Sequence, residues 1–264
     1  MTRVVGWGRT LSILGCYILI VMAHSYVLAL GETRLACVNG QPLYDIAHDL
    51  AATGNWFFSK LIFINHDVII FTLLGFLIFL FIGHPQRQIL IRRYLVFNIV
   101  MSVIRALLIF VTTIPNPNGA CTGRYLADSE VIARSIGLTL SAMGVPYDWH
   151  SIGIEGDTCC DMIISGHTSM LVILCMVILM GISNTLLKVG FWILTSIGLL
   201  GVITVERHYT VDMLATLIIV VLMISVYKQS LAKPSWAVRF IEEQDKFGDQ
   251  IAKMSIRQLI RRHL

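Results

Sequence analysis

The chain contains six apolar runs, most of them close to the length that a helix needs to cross a bilayer, about 20 residues. The composition agrees with membrane spans, because 56% of the residues are hydrophobic and 14% are charged, which is too apolar for a soluble domain of this length. We therefore expect an all-α, polytopic membrane protein with about six transmembrane helices. The expected spans cover Leu11 to Leu30, Leu61 to Ile82, Tyr94 to Ile114, Ser165 to Met180, Val189 to Val205 and Val211 to Tyr227.

Two of these runs allow a second interpretation. The first could be a cleaved signal peptide, but it is long for the apolar region of such a peptide, and Ala29-Leu30-Gly31 makes only a fair cleavage site. The second is interrupted by Asn65-His66-Asp67, which lie either in the headgroup region or in a wet cavity inside the bundle. We favour a first transmembrane helix, and the headgroup region for the polar interruption.

Basic residues predict how the spans are oriented. The N-terminus, the loop from Gly83 to Arg93, Lys188 and the segment after Lys233 carry Lys and Arg and fall on one side of the expected spans. This side, with both termini, is expected to be cytosolic. The net charge of +4 is small, so it indicates orientation at a membrane and gives no support for nucleic-acid binding.

The expected organisation is one membrane domain followed by a tail. Residues 1–233 form the six-helix transmembrane domain, and residues 234–264 form a basic cytosolic tail. The opposite side, which is lumenal or exoplasmic, receives three polar segments at about 31–60, 115–161 and 206–210.

Two histidines open the fourth and sixth spans on that exoplasmic face. If Val211 to Tyr227 is helical, His208 and Asp212 lie four residues apart on one face, so the carboxylate can accept the imidazole Nδ1–H and leave Nε2 free. His208 is then a candidate nucleophile, and His167 can supply the proton donor and acceptor that such an attack needs. The alternative is that each histidine simply lies in the headgroup zone.

Arg105 lies about halfway along the third span. An arginine at that depth costs at least a few kcal/mol unless it snorkels or faces a partner. We expect Arg105 to face a phosphate, and the alternative is a buried pair with an acid such as Asp67.

No cysteine spacing typical of a zinc site and no glycine-rich phosphate loop occurs in the sequence. We therefore expect neither a metal nor a cofactor. Four cysteines fall on the exoplasmic side, where disulfides are permitted, and their three possible pairings stay open. They are Cys37, Cys121, Cys159 and Cys160.

Four short polar blocks follow one another along the chain. They are Pro42-Leu43 with Asp45 and His48; Arg92-Arg93-Tyr94 followed by Arg105, Thr112 and Pro115; Cys159-Cys160-Asp161 followed by Ser165-Gly166-His167-Thr168; and His208-Tyr209-Thr210 with Asp212. In this order they resemble the sphingomyelin synthases and their sphingolipid-synthase relatives within the lipid phosphate phosphatase superfamily. The sequence departs from the family at Cys160, where the family has glycine.

The resemblance implies transfer of a phosphorylated headgroup from a glycerophospholipid to the primary hydroxyl of ceramide, with release of diacylglycerol through a phosphohistidine intermediate. Phosphocholine is the favoured headgroup. The implied catalytic residues are His167, His208 and Asp212. The expected substrate-binding residues are Arg105, Asp161, Ser165, Gly166 and Tyr209.

Several functional alternatives stay open. An ethanolamine-phosphorylceramide or inositol-phosphorylceramide synthase would use the same mechanism, and a lipid phosphate phosphatase would use water as acceptor. The phosphatases usually carry an Arg-Pro pair and an arginine six residues before the nucleophile, where this chain has Val202. From a different class, a membrane transporter or a ceramide sensor would account for an intramembrane arginine.

The expected partners follow from the membrane setting. They are ceramide, a glycerophospholipid, the diacylglycerol product and the bilayer, and a homo-oligomer is open. Golgi and plasma membrane are both compatible with an exoplasmic active site.

Overall fold

The computed structural model describes residues 7–38, 43–45, 48–49, 66–84, 86–115, 125–142, 163–204, 208–232 and 235–242. Within these ranges the chain forms eight helices and no strand, which confirms the all-α prediction. The helices are α1 Gly8–Val38, α2 His66–Gly83, α3 Arg87–Val111, α4 Asp128–Ala142, α5 Gly166–Gly181, α6 Thr185–Thr204, α7 Thr210–Ser230 and α8 Trp236–Glu242.

Four helices are long and apolar enough to cross a membrane, namely α1, α3, α6 and α7. Two shorter apolar helices, α2 and α5, accompany them. These six helices correspond to the six apolar runs of the sequence, and the chain is a multi-pass membrane protein. A 16-residue helix such as α5 is about 24 Å long at 1.5 Å per residue.

The short helix α5 lies at the centre of the bundle. It packs against α2, α3, α6 and α7, and Leu171, Ile173, Leu174 and Val177 are fully buried. A helix that is apolar on all sides must be covered by neighbours or lipid, and here protein covers most of it. The middle of α5 is therefore held in the core of the bundle.

The first helix extends farther than its apolar run. α1 continues to Val38, so the prediction of a polar loop from residue 31 was wrong at its start. The extension is held by contacts with residues distant in sequence. Glu32 forms a buried salt bridge with Arg134 of α4 at 2.9 Å, and Arg34 donates a hydrogen bond to the Phe110 carbonyl at 2.7 Å.

The predicted arginine-rich loop from Gly83 to Arg93 is also mostly helical, because α3 begins at Arg87. Arg92 is fully buried, where its guanidinium donates to Thr10 Oγ1 at 3.0 Å and to the Ile241 carbonyl at 3.3 Å. These contacts tie together the starts of α1 and α3 and the helix α8. The bundle has a tail end, defined by this contact between Arg92 and α8.

The turn between α5 and α6 is shorter than expected. Asn184 Oδ1 accepts the backbone N–H groups of Leu186 and Leu187 at 2.9 and 3.2 Å, and this capping starts α6 at Thr185. The predicted start at Val189 was therefore one turn late.

Only the first part of the predicted basic tail lies within the described residues. Its helix α8 is fixed to α3 by Arg93, whose guanidinium donates to both carboxylate oxygens of Glu242 at 2.8 and 2.7 Å. Tyr227 of α7 also donates to Glu242. Burial by itself favours the neutral acid, but the hydrogen bonds from Arg93 and Tyr227 hold the pKa of Glu242 below its ordinary value.

Replacing Glu242 should weaken this end of the bundle. Glu242→Gln removes a bidentate charged pair, and we expect a loss of about 1–3 kcal/mol, seen as a lower midpoint of thermal unfolding in detergent. Because the folded-state pKa of Glu242 is depressed, its contribution is present above the unfolded pKa and is lost as pH falls through the folded one.

The matched control is Glu130→Gln. Glu130 accepts the Ala127 N–H at an exposed helix start, and glutamine can accept the same bond. Equal midpoints for Glu242→Gln and the wild type at neutral pH would contradict the assigned role of Glu242.

Candidate active site

The start of α5 is fixed by a serine cap. Ser165 Oγ accepts the backbone N–H of Thr168 at 3.1 Å, as an N-cap does. The backbone N–H of Ser165 donates to Thr216 Oγ1 at 2.9 Å, which ties α5 to α7. Ser165 is fully buried, so its hydroxyl belongs to the scaffold, and a direct contact with substrate stays a prediction.

The start of α7 shows why one geometric premise was wrong. Tyr209 is the N-cap, in extended conformation with φ −68° and ψ 151°, so His208 lies before the helix and does not share a helical face with Asp212. The Asp212 Oδ2 atom accepts the Tyr209 N–H at 3.1 Å. Both His208 and Asp212 are buried, and the orientation of His208 by Asp212 stays a prediction.

The first polar block binds to this same turn. Asp45 Oδ2 accepts the Thr210 N–H at 2.6 Å, and Asp45 Oδ1 accepts the Thr210 hydroxyl at 2.8 Å. His48 Nε2 lies 3.1 Å from the His208 carbonyl oxygen. The sequence interpretation gave Asp45 and His48 no role of their own, although both belong to the first block that carries the family resemblance.

Tyr209 holds the turn through its hydroxyl. This hydroxyl accepts the Leu43 N–H at 2.8 Å and donates to the Pro115 carbonyl at 3.0 Å. Burial raises the pKa of Tyr209 above its ordinary value, so the hydroxyl keeps the proton that it donates. Its role in this structure is to join three segments, and the predicted substrate contact is untested.

His167 and His208, which are 41 residues apart in sequence, meet between α5 and α7. The distance from His167 Nδ1 to His208 Nε2 is 3.4 Å. The ring centroids are 5.6 Å apart and the ring planes meet at 60°. The side chain of His167 is 32% exposed, whereas His208 is buried. The structure therefore brings the two predicted histidines together at one end of the bundle, here named the histidine end.

Arg105 and Gly166 also meet at the histidine end. A Cβ atom added to Gly166 would lie 2.8 Å from both terminal nitrogens of the Arg105 guanidinium, so glycine is what lets the arginine approach the start of α5. A helix N-terminus and a guanidinium both favour an anion. The pair therefore forms a site suited to the oxygens of a phosphate group.

Asp67 approaches the site from α2. Its Oδ1 lies 3.8 Å from Nε2 of His167, and its side chain is 39% exposed. The sequence favoured a headgroup location for Asp67 or a pair with Arg105, and did not connect Asp67 with His167. No signal in the sequence links the two residues, because their contact depends on how α2 packs against α5.

Four other residues named in the sequence analysis fall outside the described ranges, namely Asp161, Cys121, Cys159 and Cys160. The side chain of Cys37 is also not described. Across the part of the chain that is described, no group of three His, Cys, Asp or Glu side chains is placed to hold a metal ion.

The site can therefore combine three chemical functions. His208 offers a nucleophilic nitrogen and His167 offers a proton donor, and the two nitrogens are close enough to act on the same phosphoryl group. Arg105 and the start of α5 offer stabilisation for negative charge. This set is suited to attack on phosphorus.

Comparisons with known proteins agree with this chemistry. Residues 158–229, which include both histidines, match the family model described as PAP2 superfamily C-terminal. The chain is 26% identical over 215 residues to the phosphatidylcholine:ceramide cholinephosphotransferase 1 of Rattus norvegicus and to that of Mus musculus. Each match covers 78% of this chain and 48% of the relative, so the chain spans about half the length of these curated relatives. The matches confirm the resemblance inferred from the four blocks and support a lipid enzyme of the phosphotransferase or phosphatase type.

Gly166→Ala should damage the anion site. The new methyl group would lie 2.8 Å from the Arg105 guanidinium, so the arginine must move. A displacement of about 1 Å in a positioning group can lower turnover about 100-fold, and headgroup release from lipid donors would measure it. Gly190→Ala is the control, because nothing lies within 4 Å of a Cβ atom there. Equal turnover in both variants would contradict this geometry.

The contact between Asp45 and Thr210 can be tested by a double-mutant cycle. Asp45→Ala and Thr210→Val should each lower turnover, because each loosens the turn that carries His208. The double variant should lose less than the product of the two single losses, since both remove the same interaction. Fully independent effects would show that the two residues act separately.

Proposed function

We propose, from the premise that this chain is a relative of the PAP2-superfamily lipid enzymes and of the ceramide cholinephosphotransferases, that it transfers a phosphorylated headgroup from a glycerophospholipid to the primary hydroxyl of ceramide. Diacylglycerol is the second product. The observation that carries the proposal is the 3.4 Å approach of His167 Nδ1 to His208 Nε2, beside Arg105 at the start of α5.

In the first half of the reaction, His208 Nε2 attacks the phosphorus of the donor. The bond from phosphorus to the diacylglycerol oxygen breaks, and His167 gives that oxygen its proton. Arg105 and the first N–H groups of α5 hold the phosphoryl oxygens as negative charge develops.

In the second half, His167 takes the proton from the primary hydroxyl of ceramide. The ceramide oxygen then bonds to phosphorus, and the bond between phosphorus and His208 breaks. Both histidines return to their initial protonation states, so the cycle consumes no proton. Asp212 is proposed to stabilise His208 in the charged form that the intermediate requires.

The choice of ceramide as acceptor rests on the two relatives, which are named as ceramide cholinephosphotransferases. A lipid phosphate phosphatase is the second candidate, because a water molecule could accept the phosphoryl group from the same phosphohistidine. The sequence disfavours it, since Val202 stands where those phosphatases carry arginine.

Phosphocholine is the proposed headgroup, again from the relatives. A choline pocket favours aromatic and acidic side chains, and the predicted exoplasmic segment supplies several. They are Tyr147, Trp149, Glu155 and Asp157, all outside the described residues. The alternative headgroups are phosphoethanolamine and phosphoinositol, whose transfer would use the same chemistry. The proposed location is the Golgi or plasma membrane, with the active site on the exoplasmic side.

Reconstitution with fluorescent ceramide tests the proposal. The purified protein is supplied separately with phosphatidylcholine, phosphatidylethanolamine, phosphatidylinositol or phosphatidic acid. A fluorescent phosphorylated product from one of the first three donors would support the transferase and identify the headgroup. Phosphate release from phosphatidic acid, with no ceramide product, would favour the phosphatase.

His208→Ala should abolish the product. Loss of a nucleophile that acts as part of a unit commonly lowers turnover by about four orders of magnitude or more, whereas a transporter or sensor would keep its flux or binding. His84→Ala is the matched control, because His84 lies in the turn between α2 and α3 and contacts the Gln86 N–H. Product formation by His208→Ala at the wild-type rate would contradict the role of His208.

A further inference from the structure

Asp67 lies on the far side of His167 from the nucleophile. It is in the first turn of α2, and its Oδ1 is 3.8 Å from His167 Nε2. The other ring nitrogen, Nδ1, faces His208 Nε2 at 3.4 Å. The three side chains therefore form a row of carboxylate, imidazole and imidazole, with His167 in the middle.

The packing of α2 against α5 holds Asp67 next to His167. α2 packs directly against α5, and the fully buried Leu73 of α2 lies in the same core cluster as Leu171 of α5. Close-packed contacts of this kind resist sliding. Asp67 is therefore placed opposite His167 by two rigid helices.

The row decides which nitrogen of His167 can exchange a proton with substrate. A carboxylate beside Nε2 accepts the Nε2–H and so selects the tautomer in which Nδ1 carries the lone pair. At 3.8 Å the contact has the length of an ion pair and not that of a hydrogen bond, and catalytic contacts of this kind often tighten when the reacting complex forms. Nδ1 points toward His208 Nε2, where the phosphorus and the leaving oxygen must lie.

We propose that Asp67 is a positioning residue for the proton transfers of His167. This inference rests on the proposed function of His167 as proton donor and acceptor. Asp67 holds Nε2–H, so that Nδ1–H protonates the diacylglycerol oxygen as its bond to phosphorus breaks. The same nitrogen then receives the ceramide hydroxyl proton as the ceramide oxygen bonds to phosphorus, and Asp67 itself gains and loses no proton.

A purely structural role for Asp67 predicts something different. An acid in the first turn of a helix interacts favourably with the helix dipole, and loss of that effect would harm every reaction of the site alike. A positioning role harms the reactions in which the leaving oxygen needs a proton. The nature of the leaving group therefore separates the two roles.

The experiment compares Asp67→Asn with the wild type on two donors that share one headgroup. One is the glycerophospholipid that supports product formation, and the other is its analogue with p-nitrophenol in place of diacylglycerol, which leaves as a phenolate without protonation. In a single turnover, Asp67→Asn should slow cleavage of the glycerophospholipid about 100-fold, in the range typical of general acid catalysis. Release of p-nitrophenolate should change by a few-fold at most.

Asp67→Glu and Asp128→Asn complete the set. Asp67→Glu keeps a carboxylate and should recover a large part of the turnover on the glycerophospholipid. Asp128→Asn makes the same chemical change at an exposed position on α4 and should leave both donors unaffected. Equal losses on both donors in Asp67→Asn, no loss on either, or no recovery in Asp67→Glu would each overturn the proposal.

The result does not depend on the acceptor. The first half of the reaction is the same whether ceramide or water completes it, so the leaving-group comparison tests Asp67 even if the protein proves to be a phosphatase. Absence of any ceramide product from the wild type would overturn the proposed transferase and leave the inference about Asp67 standing.

Discussion

The central contact of the site is the hydrogen bond that joins the start of α5 to the second turn of α7, from the Ser165 N–H to Thr216 Oγ1 at 2.9 Å. His167 follows Ser165 on α5, and His208 precedes α7, on which Thr216 lies. Because each histidine is within a few residues of a helix start, the register between α5 and α7 sets the distance between the two rings. The bond is buried, where competition with water is weak.

Around this contact the chain adds connections that each bring in another segment. Asp45 and His48 reach the His208 turn from the segment after α1, and Tyr209 adds the Pro115 carbonyl after α3. Asp67 arrives from α2. Apart from Arg105, which lies within α3, the described residues before α5 that contact the site lie at a helix terminus or in a segment that follows a helix. Short polar blocks separated by long apolar runs therefore encode most of the site.

The sequence predicted the parts of this arrangement that depend on local pattern. The lengths of the apolar runs predicted the six apolar helices. Because successive spans run in opposite directions, the sequence also predicted that His167 and His208 lie at the same end of the bundle. Helix bounds were predicted less well, because Glu32 and Arg92 extend their helices through partners 102 and 82 residues away. The contact of Asp67 with His167 depends on how α2 packs on α5, and such packing leaves no mark in one sequence.

The helix α3 links the two ends of the bundle. Arg92 is fixed to α1 and α8 near its start, and Arg105 lies thirteen residues later against Gly166, about 20 Å along the helix axis. A helix held by packing behaves as a stiff rod over this distance. A tilt of α3 at the tail end would therefore shift the Arg105 guanidinium at the histidine end, so α3 couples the two ends of the bundle mechanically.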